Sequence, residues 1–313
     1  MKHLEDSKNK DLHVNFEDEN QNKEFRIIVF GDSKGKDKGV NKKVLHKIMK
    51  RVKKLNPKPQ YMVVLGDSIA GHSNIEIMKT QLDTFSDLIK DYNFFDEIIP
   101  VIGNHEVNNE PEDYSKETIF IENFPNLNVG EFLDGYNKTV YYLDVFNTRI
   151  IVLNTYHFGE INKICGSQLE WFKKVTADPI KNKIVFLHSP AYPTGAHLGT
   201  SLDFYTKERN EFWSVIDSSN VDIVFSGHEH NYSRRVINRL FNTSEYKFKN
   251  DIQQVITGGG GEKLRNGYKS KSGVVVPPKA VHHFVIIDFD FNNIKLQAIT
   301  AKGEIIDKLI IEK

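Results

Sequence analysis

Tyr61-Met62-Val63-Val64-Leu65-Gly66-Asp67-Ser68 is a short apolar run that stops abruptly on Gly-Asp, and the same phrase recurs on either side of it. Upstream, Phe25-Arg26-Ile27-Ile28-Val29-Phe30 runs into Gly31-Asp32-Ser33-Lys34. Downstream, Ile98 to Ile102 runs into Gly103-Asn104-His105-Glu106. Runs of this length and composition predict buried strands, each ended by a turn. Between the first two, Val40, Val44, Leu45, Ile48, Val52 and Leu55 fall at helical spacing until Pro57 stops the pattern. Between the second and third, Ile75, Met78, Leu82, Phe85 and Ile89 mark another amphipathic helix. A β-α-β-α-β order implies a largely parallel sheet with helices packed on it.

The rest of the chain changes character. Thr139 to Val145 and Arg149 to Asn154 read as a hairpin joined by Phe146-Asn147-Thr148. Ser167-x-x-Glu170 has the form of a capping box opening a helix with Leu169, Trp171, Phe172 and Val175 on its apolar face. Further strands are predicted at Lys183 to Leu187, Val221 to Phe225, Gln253 to Thr257, Phe284 to Phe289, Ile294 to Ile299 and Ile305 to Ile311. The sum is an α/β protein: a four-layer α-β-β-α sandwich of two mixed sheets flanked by helices. Residues up to Glu24 are polar and read as a flexible tail, leaving 25–313 as one domain.

Composition narrows the function. The 313 residues carry 42 Lys+Arg against 42 Asp+Glu, which argues against a protein built to grip a nucleic-acid backbone. A single cysteine, Cys165, excludes a disulfide framework and a cysteine-built zinc site. No apolar run approaches the roughly 20 residues that span a bilayer. The first residues lack the apolar stretch of a signal peptide, so a cytoplasmic location is expected, with export as the alternative if a leader was removed.

Five segments end an apolar strand on a polar residue able to hold a metal. They are the three above, Leu187-His188-Ser189-Pro190, and Gly227-His228-Glu229-His230. Asp32, Asp67, Asn104, His188, His228 and His230 together offer mixed oxygen and nitrogen donors. Such a set suits Mn, Fe, Zn, Co or Ni better than a calcium cage or a soft thiolate site. Two divalent ions about 3.5–4 Å apart can clamp a phosphate and acidify a bridging water. A carboxylate with two oxygens, as Asp67 has, suits the bridge.

In this order the five segments resemble the calcineurin-like metallophosphoesterase superfamily. Val224 to Arg234 and Thr257-Gly258-Gly259-Gly260-Gly261 resemble its purple-acid-phosphatase-like branch. The resemblance implies two metal ions: Asp32 and His230 on the first, Asn104, His188 and His228 on the second, Asp67 between them. His105 would stand beside the ligands, stabilising the transition state or protonating the leaving oxygen. Two departures stand out. Lys34 occupies the position where the superfamily usually has a ligand histidine, and Ala70 the position where purple enzymes supply a tyrosine. The first ion is thereby weakened. Lys34 must swing away, deprotonate or replace the ion, and as a phosphate contact it counts among the substrate-binding candidates; His72 is an alternative ligand.

The other substrate-binding candidates are Asn104, Tyr232, Arg234, His157 and His197, the last in the long loop Ser189 to Asp203. The expected activity is hydrolysis of a phosphomonoester or phosphodiester by attack of a metal-activated hydroxide, on a phosphorylated small molecule. A catalytically weakened binding scaffold and a nuclease of the same superfamily are the alternatives.

Overall fold

The computed structural model describes residues 24–92, 97–125, 127, 129–242 and 244–313; all of the expected tail except Glu24 lies outside them. The amino-terminal third alternates as the apolar pattern requires. It runs β1 (Phe25–Phe30), a short β2 (Lys34–Asp37), α1 (Lys42–Val52), β3 (Tyr61–Leu65), α2 (Ile75–Lys90) and β4 (Glu97–Val101). Helix α1 starts where the Asn41 side chain accepts the Val44 N–H, and α2 where Asn74 accepts the N–H groups of Glu76 and Ile77. Then come α3 (Ser115–Glu122), β5 (Glu131–Phe132), β6 (Tyr141–Val145), β7 (Thr148–Val152), α4 (Gly166–Thr176), β8 (Asn182–Phe186), α5 (Thr206–Ser218) and β9 (Ile223–Ser226). The chain closes with β10 (Tyr232–Ile237), β11 (Ile252–Thr257), β12 (Val274–Lys279), β13 (His283–Phe289), β14 (Asn293–Thr300) and β15 (Ile305–Glu312).

Two mixed sheets result. One has the order β15-β14-β13-β1-β3-β4, the other β12-β10-β11-β9-β8-β7-β6-β5. Strands β1, β3 and β4 are mutually parallel, as are β7, β8, β9 and β11. The sheets pack face to face over Ile27, Val29, Val63, Leu65, Ile150, Val152, Ile184, Phe186 and Phe225. Residues on alternate positions, such as Ile28, Phe30, Met62 and Val64, point outward and are covered by α1, α2 and α3. Trp171 and Phe172 of α4 and Phe212 and Trp213 of α5 cover the other sheet. This is the four-layer sandwich that the strand-helix pattern predicts. Full burial of each such aliphatic or aromatic side chain contributes about 1.5–3 kcal/mol.

Some local expectations shift. Helix α4 begins at Gly166 with Cys165 in the cap position and no side-chain cap, so Ser167 lies inside the first turn. The chain enters through Gly166 at φ 49°, one residue before the expected capping box. The hairpin turn is the two residues Phe146-Asn147, with Thr148 already in β7.

Tyr232 and Arg234, expected to reach a phosphate, are instead engaged between the sheets. The Tyr232 hydroxyl donates to Asp307 Oδ2 at 2.6 Å, Arg234 Nε donates to the same oxygen at 2.7 Å, and Arg234 Nη2 to Oδ1 at 3.2 Å. Because β10 and β15 belong to different sheets, this buried ion pair ties one sheet to the other. Removing one partner strands a buried charge. Asp307→Ala should therefore lower the unfolding free energy by about 3 kcal/mol, read from denaturant midpoints at unchanged m-value; a loss under about 1 kcal/mol would mean that water replaces the carboxylate.

Candidate metal centre

The strand-end turns from both sheets meet at one place. Asp32, Asp67 and Asn104 follow β1, β3 and β4; His188, His228 and His230 follow β8 and β9. The backbone is bent hard to bring them together. Asp32, Asp67, His228 and His230 have φ of 61°, 51°, 69° and 51°, the left-handed region that non-glycine residues rarely adopt. The glycines beside them mainly give room. A Cβ on Gly103 would lie 2.5 Å from Asp67 Oδ1, and one on Gly227 would lie 2.6 Å from Asp32 Oδ2.

A buried carboxylate holds the first half of the centre. Glu106 Oε2 accepts the N–H groups of Asp67 and Gly103, both at 2.9 Å; Oε1 accepts the Ser68 N–H at 2.7 Å and its hydroxyl at 2.6 Å. Burial, and then the neighbouring Asp67 charge, push the Glu106 carboxyl upward. Asp67 behaves oppositely: burial favours its neutral form, but His188 and Lys34 outweigh that and hold it well below the usual carboxylate range.

Four donor atoms converge on the Asn104 side. His188 Nε2 lies 3.2 Å from Asn104 Oδ1, 3.3 Å from Asp67 Oδ1 and 3.2 Å from His228 Nδ1. His188 Nδ1 donates to the Leu65 carbonyl at 2.6 Å, which leaves Nε2 as the ligand atom. On the Asp32 side, His230 Nε2 lies 3.3 Å from Asp32 Oδ1, a buried oxygen with no hydrogen-bond partner among the described residues. Asp67, His188 and His228, and likewise Asp32, Asp67 and His230, place their donor atoms within 4.8 Å of one another. On the Asn104 side this convergence of oxygen and nitrogen donors fits a divalent transition metal; on the Asp32 side the orphaned Asp32 oxygen faces His230, but the shared Asp67 carboxylate already holds the Lys34 ammonium.

The model of the calcineurin-like phosphoesterase family matches residues 25–232, more than half of the chain. The chain belongs to that family. Among solved structures, this family member is similar to the purple acid phosphatase PPD1 from yellow lupin (Lupinus luteus) seeds, with TM-score 0.72 and 18% identity. That match covers 94% of this chain and 54% of the lupin chain, so the chain spans about half the lupin enzyme's length. It is also similar to GAP50, described as the anchor in the inner membrane complex of Plasmodium, with TM-score 0.59 and 14% identity over 92% of this chain and 89% of that one. PhoD matches with TM-score 0.60 and 11% identity, over 92% and 68% respectively. At these identities the likeness is one of fold. No curated protein sequence matches the chain. No helix among the described residues is long and apolar enough to cross a membrane.

The remaining predicted residues of this phosphoesterase-family chain divide. His105 is at the centre: its N–H donates to Asp67 Oδ1 at 3.0 Å, and its Nδ1 donates to the Ala70 carbonyl at 2.6 Å. Its Nε2 stands 3.9 Å from Asp67 Oδ2. His197 is brought in too, its ring 4.0 Å from that of His228, and burial, aided by Arg265, lowers its pKa to about 4. Lys34 Nζ donates to Asp67 Oδ2 at 2.7 Å. His157 is engaged elsewhere, stacked on Tyr136 at 3.9 Å with Nδ1 against Glu117 at 3.0 Å. The exposed His72 accepts the Asn74 N–H. Sequence reasoning assigned no role to Tyr156, whose ring lies 5.9 Å from His188 and whose hydroxyl meets Ser189 Oγ at 2.7 Å. Nor did it assign one to Glu229. That carboxylate accepts the N–H of Thr194 at 2.7 Å and of His197 at 2.8 Å, pinning the loop that carries His197. Both glutamates stood inside the quoted motifs, and their signal was an acidic side chain in a glycine turn at a buried strand end.

Burial alone would depress His188, but the adjacent Asp67 carboxylate outweighs it and pushes the imidazole from 6.5 up to about 9. In the metal-free protein this raised pKa adds stability that is fully present below pH 6.5 and lost as pH rises through about 9. An incoming ion must displace the same proton. Apparent Mn²⁺ affinity, measured by calorimetric titration, should therefore rise by up to about tenfold per pH unit between pH 6.5 and 9. An affinity flat across that window would refute a protonated His188.

Proposed function

We propose that the chain is a metal-dependent phosphoesterase whose centre is the Asp32–Asp67–Asn104–His188–His228–His230 cluster. The convergence of buried donor atoms from two sheets beside an open cavity, with Asp32 Oδ1 and His228 Nε2 left without a partner among the described residues, carries this reading. The cavity measures about 610 Å³ and is lined by Lys34, His105, Lys36 and Lys263 among others. Lys34, Lys36 and Lys263 outweigh Asp37 and Glu262 on its wall, a local cationic surplus that favours a phosphate without making the whole protein basic. When bound, a divalent ion would supply charge against phosphate oxygens and a water acidic enough to act as nucleophile near neutral pH.

The chain's own groups supply orientation and proton transfer. Asp67 is held from the backbone side by Glu106, so its oxygens keep fixed directions. Hydrogen bonding of His105 Nδ1 to Ala70 leaves Nε2 to face the cavity side, where it hands a proton to the leaving oxygen. His197, neutral near pH 7, offers a hydrogen bond to a phosphate oxygen beside His228. Asn104, its Nδ2 bonded to Asn109 Oδ1 at 2.6 Å, keeps Oδ1 turned to the ligand cluster. The substrate is a phosphorylated small molecule, as monoester or diester.

Lys34 on Asp67 favours a second reading, a binding scaffold that has lost catalysis. Hydrolysis separates the two, because a scaffold can hold an ion without turning over a phosphoester. With Mn²⁺, p-nitrophenyl phosphate or its bis-ester should be hydrolysed, and a chelator should abolish the activity. His105→Ala should lower kcat by about 10²–10⁴ with smaller change in KM. Hydrolysis that survives Asp67→Ala at wild-type rate would sink the assignment.

A further inference from the structure

Lys34 is fixed from both ends. Its backbone N–H donates to the Asp67 carbonyl at 3.0 Å, it bridges to Val40 across the β2 turn, and its side chain is only 7% exposed. The ammonium therefore reaches Asp67 Oδ2 without a mobile tether. The Asp67 carboxylate is thus divided: Oδ1 faces His188 Nε2 and the Asn104 side, and Oδ2 faces Lys34.

The two subsites differ as a result. On the Asn104 side, Asp67 Oδ1, Asn104 Oδ1, His188 and His228 form a four-donor set that Lys34 does not contact. On the Asp32 side, Asp32 Oδ1 and His230 Nε2 face one another, and the Asp67 carboxylate that would complete the set already carries an ammonium on Oδ2. An ion arriving there has fewer donors and meets a fixed positive charge held in a buried, weakly screened place. The donor set on that side does not fit a tightly held ion.

We propose that Lys34 is the resident cation of the Asp32 side, so that the protein retains a single divalent ion, on the Asn104 side. The ion count follows from Lys34 and the donors alone; only its catalytic meaning rests on the phosphoesterase reading. A positive charge that is part of the chain cannot be lost to chelators or dilution, and it lines the same cavity as His105.

The test is metal content after loading with Mn²⁺ and gel filtration in metal-free buffer, read by plasma mass spectrometry. Wild type and Lys34→Arg should keep one ion per chain. Lys34→His, which removes the fixed ammonium and adds an imidazole donor, should keep two. Cooperative thermal unfolding of each variant establishes that it is folded. Two ions in wild type or in Lys34→Arg, or one in a folded Lys34→His, would overturn the proposal. One ion without phosphoester hydrolysis would remove the proposed function and leave this inference standing, whereas no ion at all would remove both.

Discussion

The Asp67 carboxylate sits in a fully buried position, taking the His105 N–H on one oxygen and the Lys34 ammonium on the other, with His188 pressed against it from the opposite sheet. A lone carboxylate in that place would be heavily penalised for losing water. It persists because cations and backbone donors surround it, and because its own N–H and that of Ser68 are tied to Glu106. The left-handed backbone at Asp32, Asp67, His228 and His230 costs of order 1–3 kcal/mol per residue. Bonds such as Asp32 Oδ2 to the His228 N–H at 2.9 Å and Glu106 to three backbone amides help to offset that strain. The directions of these side chains are thus set by the protein itself.

The same device appears twice. Glu106 follows Asn104-His105 and fastens the turns after β3 and β4; Glu229 lies between His228 and His230 and fastens the loop from Thr194 to His197. Neither glutamate faces the cluster with a free oxygen. Each converts a flexible strand-end loop into a rigid one, which is the geometric demand of a site whose donors must hold their places within a fraction of an ångström. The loop that carries His197 is accordingly held in place by bonds within the chain.

Much of this was legible in the sequence for a simple reason. Strands of the sandwich core are buried on both faces, so β1, β3 and β4 appear as largely apolar runs, and the clustered polar residues lie just after them. Period and position were enough to single out Asp32, Asp67, Asn104, His188 and His228, which the fold brings together. What escaped depends on direction, which spacing does not encode. Tyr232 and Arg234 follow His230 directly, yet they lie on a strand whose inward face looks at β15, and Asp307 is a partner 73 residues from Arg234 that no local pattern could supply. His157 and Tyr156 are neighbours on opposite sides of one loop, and the tyrosine took the place beside the cluster. The helix start at Gly166 was misjudged because a glycine in the left-handed region opened it before the serine could cap it.

One pairing has a consequence for how the molecule is made. Strand β1, which delivers Asp32, is bordered on one side by β3 and on the other by β13, where Val29 lies opposite Val285. During synthesis the segment around Asp32 and Asp67 emerges long before that neighbour exists, and β1 must wait as an unprotected edge. Pairings so distant along the chain form slowly. The turns that carry Asp32 and Asp67 consequently acquire their final spacing late, after the carboxyl-terminal meander has docked, and the cluster is complete only in a nearly finished protein.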